Sequence, residues 1–177
     1  MLGKAMIGLI GAAGAAMLTV AVAGADPEPA PPPPPNVNNL PPVSPVAYSV
    51  LNDRYYAFGT ADGLVCAIDR GAGSYGCSGP IPNAPGGANI ISGGASGAPD
   101  FASSPSPFFQ SLGPVQQLPA NTRLSYRTVS CTTDGASTTI CINTADQTGF
   151  VLSPGGSYAL DSNPLTAPRE GRGPFAN

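Results

Sequence analysis

Histidine and tryptophan are missing from the 177-residue chain, and lysine occurs once, at Lys4. Without imidazole there is no Ser-His-Asp or Cys-His nucleophile and no histidine metal ligand. With no lysine after position 4, Schiff-base chemistry is excluded from the rest of the chain. Glutamate occurs only at Glu28 and Glu170, towards the ends. A hydrolase working with paired carboxylates would therefore draw on Asp53, Asp62, Asp69, Asp100, Asp134 and Asp146. Four of these, Asp62, Asp69, Asp134 and Asp146, sit beside turn signals, where aspartate is favoured for bonding its own backbone. No D-x-D-x-D-G calcium loop is present. Positive charge is equally sparse: Lys plus Arg total 7 against 10 acidic residues, a net charge of -3. No basic cluster exists to displace counterions from nucleic acid or to meet an anionic lipid surface.

One long uncharged run is present, residues 5–24, following Lys4 and ending in Ala23-Gly24-Ala25. This is the pattern of an export signal over residues 1–25, cut after Ala25, with an uncleaved membrane anchor as the alternative. Residues 26–47 form a proline-rich lead; ten of the twenty residues from 26 to 45 are proline, which predicts an extended disordered spacer. The segment 161–177 lacks apolar periodicity and reads as a disordered tail.

Residues 48–160 are left as the folded domain, with strand character over 48–79 and 121–160. Both stretches are rich in Val, Ile, Thr, Tyr and Phe and punctuated by Asp62-Gly63 and Asp134-Gly135 hairpin pairs. Each holds two cysteines, spaced C-x10-C (Cys66, Cys77) and C-x9-C (Cys131, Cys141). In an exported chain four cysteines predict two disulfides. Pairing within each segment is favoured, with bridges between segments and a metal site as the alternatives. If each pair closes a hairpin, Ile68 faces Tyr75 and Asp69 faces Ser74, while Val129 faces Asn143 and Thr133 faces Thr139. Within the G-x-G-x-x-G of Gly71, Gly73 and Gly76, "RGAG" is then the tip of a four-residue hairpin loop, its two glycines supplying positive φ. A dinucleotide loop would need a helix after it, and "CSGPIPNAPGG" forms none. No catalytic residue, cofactor or metal is expected.

Half of residues 80–119 are Gly, Pro or Ser, which predicts irregular chain lying over the sheet. Within it "SPFFQSLG" predicts a short helix capped by Ser106 and stopped by Gly113, with Phe108, Phe109 and Leu112 on one face. That face either plugs the end of the sheet or lines a ligand groove. Arg123 and Arg127 alternate with Leu124 and Tyr126 and are expected to share a strand face, either solvated or holding an anion.

The phrases "GLVCAID…YGCSGPIP" and "RLSYRTVSC…TICIN…TGFVLS" resemble exported actinobacterial, especially mycobacterial, small disulfide-containing β-domain proteins of unknown function. The resemblance implies export and an all-β domain, and brings no catalytic residues. Where a related group carries a histidine before its Gly-Phe pair, Thr148 stands here. The expected protein is all-β: a disulfide-stapled antiparallel sheet or partial barrel with a long Gly/Pro/Ser loop. It is secreted or held in the cell envelope, and touches a membrane only through an uncleaved signal segment. It works as a non-enzymatic binding or structural module whose partner is an envelope polymer or another secreted protein. The alternative is an aspartate-dependent hydrolase of envelope polymers.

Overall fold

The computed structural model describes residues 36–161; the expected signal, the lead as far as residue 35 and the tail from 162 lie outside the described residues. Two antiparallel sheets face each other across a shared core and do not close into a barrel. The first is a six-stranded meander: β1 (Ser49–Val50), β2 (Tyr55–Gly59), β3 (Val65–Asp69), β4 (Tyr75–Ser78), β5 (Ile90–Gly93) and β6 (Asp100–Ala102). The second is a five-stranded meander of β7 (Arg123–Tyr126), β8 (Val129–Thr133), β9 (Thr139–Asn143), β10 (Thr148–Leu152) and β11 (Tyr158–Leu160).

The period-2 alternation of strand side chains decides which residues meet. Cys66 and Ile68 on β3 and Tyr75 and Cys77 on β4 point inward, towards Val129 and Cys131 on β8 and Phe150 and Leu152 on β10. Tyr75 stacks on Phe150 with ring centres 5.9 Å apart, and Tyr56 meets Tyr126 edge-on at 5.2 Å. Phe58, Tyr75 and Phe150 are buried almost completely, and burial of such a ring stabilises by roughly 1.5–3 kcal/mol. The two disulfides, Cys66–Cys77 and Cys131–Cys141, join directly opposed residues of one hairpin in each sheet and lie in this core. The facing pairs are those the cysteine spacing implies: Ile68 with Tyr75, Val129 with Asn143, Thr133 with Thr139. The all-β fold with both local bridges is therefore present, the two stapled hairpins falling in separate sheets.

The outer faces are covered by segments whose composition predicts no structure. On the first sheet Ala57, Ala67 and Gly76 make a floor of small residues, on which the 3-10 turn Phe109–Leu112 rests through Leu112 and Phe109. Gln110 fixes the turn, its backbone N–H donating to Ser78 Oγ (3.1 Å) and its amide to the Ser78 carbonyl (2.8 Å). On the second sheet Val37 is buried against Ile140 and Val151. The chain after it is fastened to β7: Arg123 Nε donates to the Leu40 carbonyl (2.9 Å), and Pro42 bridges to Arg123. Residues 36–47 are thus an integral part of the fold, and the expectation that they belong to a disordered lead is corrected. The proline content misleads there because prolines at 41, 42 and 45 need no N–H partner while their neighbours' carbonyls accept from Arg123.

The tract 80–119 is also more regular than its Gly, Pro and Ser suggest, since it supplies β5 and β6 and puts Ile91 in the core. Its loops are tied to the second sheet. Asn143 Nδ2 donates to the Ala95 carbonyl (2.9 Å) and the Gly97 N–H to Asp146 Oδ2 (2.7 Å), while Asn83 Nδ2 donates to the Pro154 carbonyl (2.5 Å).

Candidate functional site

The glycine-rich tip comes first, because its motif is the most suggestive in the sequence. The Asp69 carboxylate accepts from the N–H groups of Gly71 (2.7 Å) and Ala72 (3.0 Å), and its carbonyl from Gly73 N–H (2.9 Å). The chain then runs straight into β4, so no helix follows the glycines. Of the three, Gly73 alone has positive φ (72°). At Gly71 a Cβ would crowd the Asp69 carboxylate at 3.3 Å, and at Gly76 it would fall 2.8 Å from the Phe109 ring and 2.3 Å from the Ile91 carbonyl. The expectation that the tip glycines serve positive φ holds for one position and is corrected for the other.

The aspartates divide into turn braces and surface groups. Burial pushes the Asp69 carboxyl up, but the donors at Ala72 and Gly71 and the Arg54 guanidinium outweigh it and hold it below the ordinary 3.8. Asp134 behaves alike: burial is outweighed by the N–H groups of Thr138, Ala136 and Ser137, all accepted by one carboxylate oxygen. At Asp146 burial is outweighed by Thr148 and by the Gly97 N–H. Burial, with the Asp146 charge adding to it and Thr148 opposing it, raises the Tyr75 phenol above its ordinary 10.0.

These shifts fix a pH profile. A carboxylate depressed in the folded state adds stability above its unfolded pKa, and that stability is lost as pH falls through the folded value. A phenol raised in the folded state costs stability once pH exceeds the unfolded value, because only the unfolded chain then releases the proton. The melting temperature should be flat between about pH 5 and pH 8. It should fall below 3.8 and again above 10.0. Asp134→Asn should shrink the acid limb, which thermal melts followed by circular dichroism would read directly.

The arginines expected to form an anion site are separated. Arg127 lies past the end of β7 with φ of 51°, which turns it off the strand face that Arg123 occupies. Arg123 is committed to the Leu40 carbonyl and to Ser125 Oγ (2.9 Å). Arg127 gathers instead with two other arginines, Arg54 and Arg70. Arg54, Arg70 and Arg127 meet at one end of the sandwich, each over an aromatic ring: Arg54 over Tyr55 (5.6 Å), Arg70 over Tyr56 (5.0 Å), Arg127 over Tyr126 (5.4 Å). Arg54 also pairs with Asp69 at 3.4 Å, its own side chain 62% exposed.

The β1–β2 loop completes the arrangement. Leu51, Asn52 and Asp53 follow one another with φ of 49°, 52° and 62°, three non-glycine residues in the left-handed region. Asn and Asp tolerate that conformation; leucine is strained by it, at about 1–2 kcal/mol. The turn is held from several sides: Arg54 N–H to the Leu51 carbonyl (3.2 Å), Arg70 N–H to the Arg54 carbonyl (3.0 Å), Arg70 Nη1 to the Asp53 carbonyl (2.6 Å), and Ser49 Oγ to the Asp53 carboxylate. Its effect is to leave Leu51 53% exposed beside Phe108, itself 48% exposed. Leu51, Arg54, Tyr55 and Phe108 line an open groove of about 330 Å³, the Phe108 and Tyr55 ring centres 5.6 Å apart.

Of the groove residues expected from sequence, Phe108 alone is among the four that line this groove. Phe109 and Leu112 are turned onto the sheet, and Arg123 and Arg127 lie elsewhere. Leu51, Arg54 and Tyr55 went unrecognised. The signal that could have found them is Asn52-Asp53 between two strand-like runs, a pair suited to left-handed turns. Among the described residues no three Cys, Asp or Glu gather as metal ligands, and no helix is long and apolar enough to cross a membrane. No known protein family, curated protein or solved structure matches the chain.

Proposed function

We propose that the protein is an exported, non-enzymatic binding module of the cell envelope or extracellular space, and that its binding surface is the Leu51–Arg54–Tyr55–Phe108 groove. The observation that carries the reading is the strained turn. Backbone strain persists where surrounding contacts over-determine it, and it concentrates at functional sites. Here four hydrogen bonds hold a leucine in an unfavourable conformation that exposes it next to a phenylalanine and a guanidinium. Export accords with two disulfides, which persist in oxidising compartments, and with the signal-like first 25 residues. The partner is an envelope polymer or a secreted protein.

The competing reading, a hydrolase using aspartates, is disfavoured by what those aspartates do. A general acid needs its pKa raised towards neutrality. Asp69 and Asp134 are instead held down chiefly by the N–H groups of their own loops, and Asp146 by Thr148 and the Gly97 N–H of a neighbouring loop. The test is retention of envelope polysaccharide and secreted-protein fractions on immobilised protein. Phe108→Ala should weaken retention about fivefold, the worth of one exposed aromatic contact, with an unchanged melting temperature. Polymer hydrolysis that vanished in a well-folded aspartate-to-asparagine variant would replace the binding reading with the enzymatic one.

A further inference from the structure

We infer that the groove takes a carboxylate-bearing sugar chain, the ring faces of Tyr55 and Phe108 receiving pyranose C–H faces while Arg54 engages the carboxylate. The inference rests on the binding reading above and supplies its ligand class.

Size is the first argument. Four lining residues and about 330 Å³ lie at the lower end of small-ligand sites. A stable protein–protein interface needs roughly 20–30 residues a side. An open groove lets a polymer pass through it, where a closed cavity would demand a chain end. The second argument is ring geometry. Tyr55 and Phe108 are tilted by 59° at 5.6 Å, so they present two faces of a shallow trough. A pyranose ring with C–H groups on its face fits such a trough; a peptide backbone, whose N–H and C=O groups demand hydrogen-bond partners, does not.

Charge complementarity is the third. Arg54 makes one ion pair, from Nη2 to Asp69 Oδ2 at 3.4 Å, while the Gly71 and Ala72 N–H groups donate to the other oxygen of that carboxylate. The remaining guanidinium donors of Arg54 have no protein partner among the described residues. Arg70 and Arg127 stand behind it over Tyr56 and Tyr126. The carboxylates nearby, Asp53 and Asp69, are engaged by Ser49 and by the hairpin tip. An arginine fork of this kind matches a carboxylate.

The full-length mature protein would be titrated by calorimetry with oligogalacturonate, its methyl ester and dextran oligosaccharides. The acid form should bind, and the ester, which keeps the rings and loses the charge, about tenfold more weakly. Arg54→Ala should lose about tenfold for the acid form and little for the ester, and Phe108→Ala about fivefold for both. Leu51→Gly separates strain from folding: glycine accepts φ of 49°, so the melting temperature should hold or rise while affinity drops about threefold. Equal affinity for acid and ester, or undiminished binding by Arg54→Ala, would each overturn the ligand class, and full affinity in Leu51→Gly would overturn the part given to the strained turn. If oligogalacturonate fails to bind while Phe108→Ala still abolishes retention of another fraction, the ligand class falls and the binding reading stands. If Phe108→Ala changes retention of nothing, both fall.

Discussion

Replacing both cysteine pairs, or reducing them, should lower the melting temperature by about 15 °C or more and leave the domain close to unfolding at 37 °C. Closing a loop of 11 or 10 residues removes freedom from the unfolded chain worth about 2–3 kcal/mol for each bridge. Two bridges give about 5 kcal/mol, against a total stability of roughly 5–15 kcal/mol for an ordinary domain. For a domain of this size each kcal/mol moves the melting temperature by about 3–5 °C. The position of the sulfurs adds to the loss. All four cysteines are essentially buried between the sheets, so Cys→Ala leaves voids among Phe58, Ile91, Leu124 and Phe150 as well as a longer free chain. Thermal melts of the oxidised, reduced and doubly substituted proteins separate the two contributions: reduction alone gives the chain-freedom part, and substitution adds the packing part. A reduced protein melting within a few degrees of the oxidised one would refute the account.

Gly149→Ala should be at least as damaging as the loss of either bridge, by about 3 kcal/mol, at the upper end of what overpacking costs. Gly149 sits in β10 opposite Ile142, between β9 and β11. A Cβ there would lie 2.2 Å from the Cys141 carbonyl oxygen and 3.0 Å from the Ile142 Cα, both backbone atoms that cannot swing aside. The sheet must open or the strand must shift, and either breaks the ladder next to the Cys131–Cys141 bridge. Gly156→Ala is the matched control, since nothing lies within 4 Å of its Cβ position, and its φ of 140° accounts for any modest loss. Denaturant unfolding of the two variants checks the contrast. Equal midpoints would mean that the close approach at Gly149 is absent.

How far the sequence could be read depended on whether the information was local. The hairpin registers were legible because two cysteines in short-range partnership leave one alignment, and period-2 alternation then assigns every neighbour, down to Thr133 opposite Thr139. The division into two sheets was not legible. Nothing in either hairpin states whether its partner lies beside it or across from it; that is decided by Tyr75 meeting Phe150 and Tyr56 meeting Tyr126, contacts between residues some 70 apart. β5 and β6 were hidden because their strand formers are few, Ile90, Ile91 and Phe101, and their neighbours are turn residues. Val37 was hidden for the opposite reason, one apolar residue in a proline-dominated stretch. At the groove, the aromatic half was visible in "SPFFQSLG", whereas Arg54 could be joined to it only through a turn whose three positive φ angles no local rule predicts at leucine.

Among the described residues all nine strand pairings connect strands adjacent along the chain, and the disulfides lie within such pairings. A sandwich built this way avoids the slow step of most all-β proteins, the search for partners far apart in sequence. Each half can zip up from its own tight reversals, and oxidation of each thiol pair needs one hairpin rather than the finished molecule. The late event is then the meeting of two preformed layers, for which the stacked Tyr75 and Phe150 rings are the natural reporters.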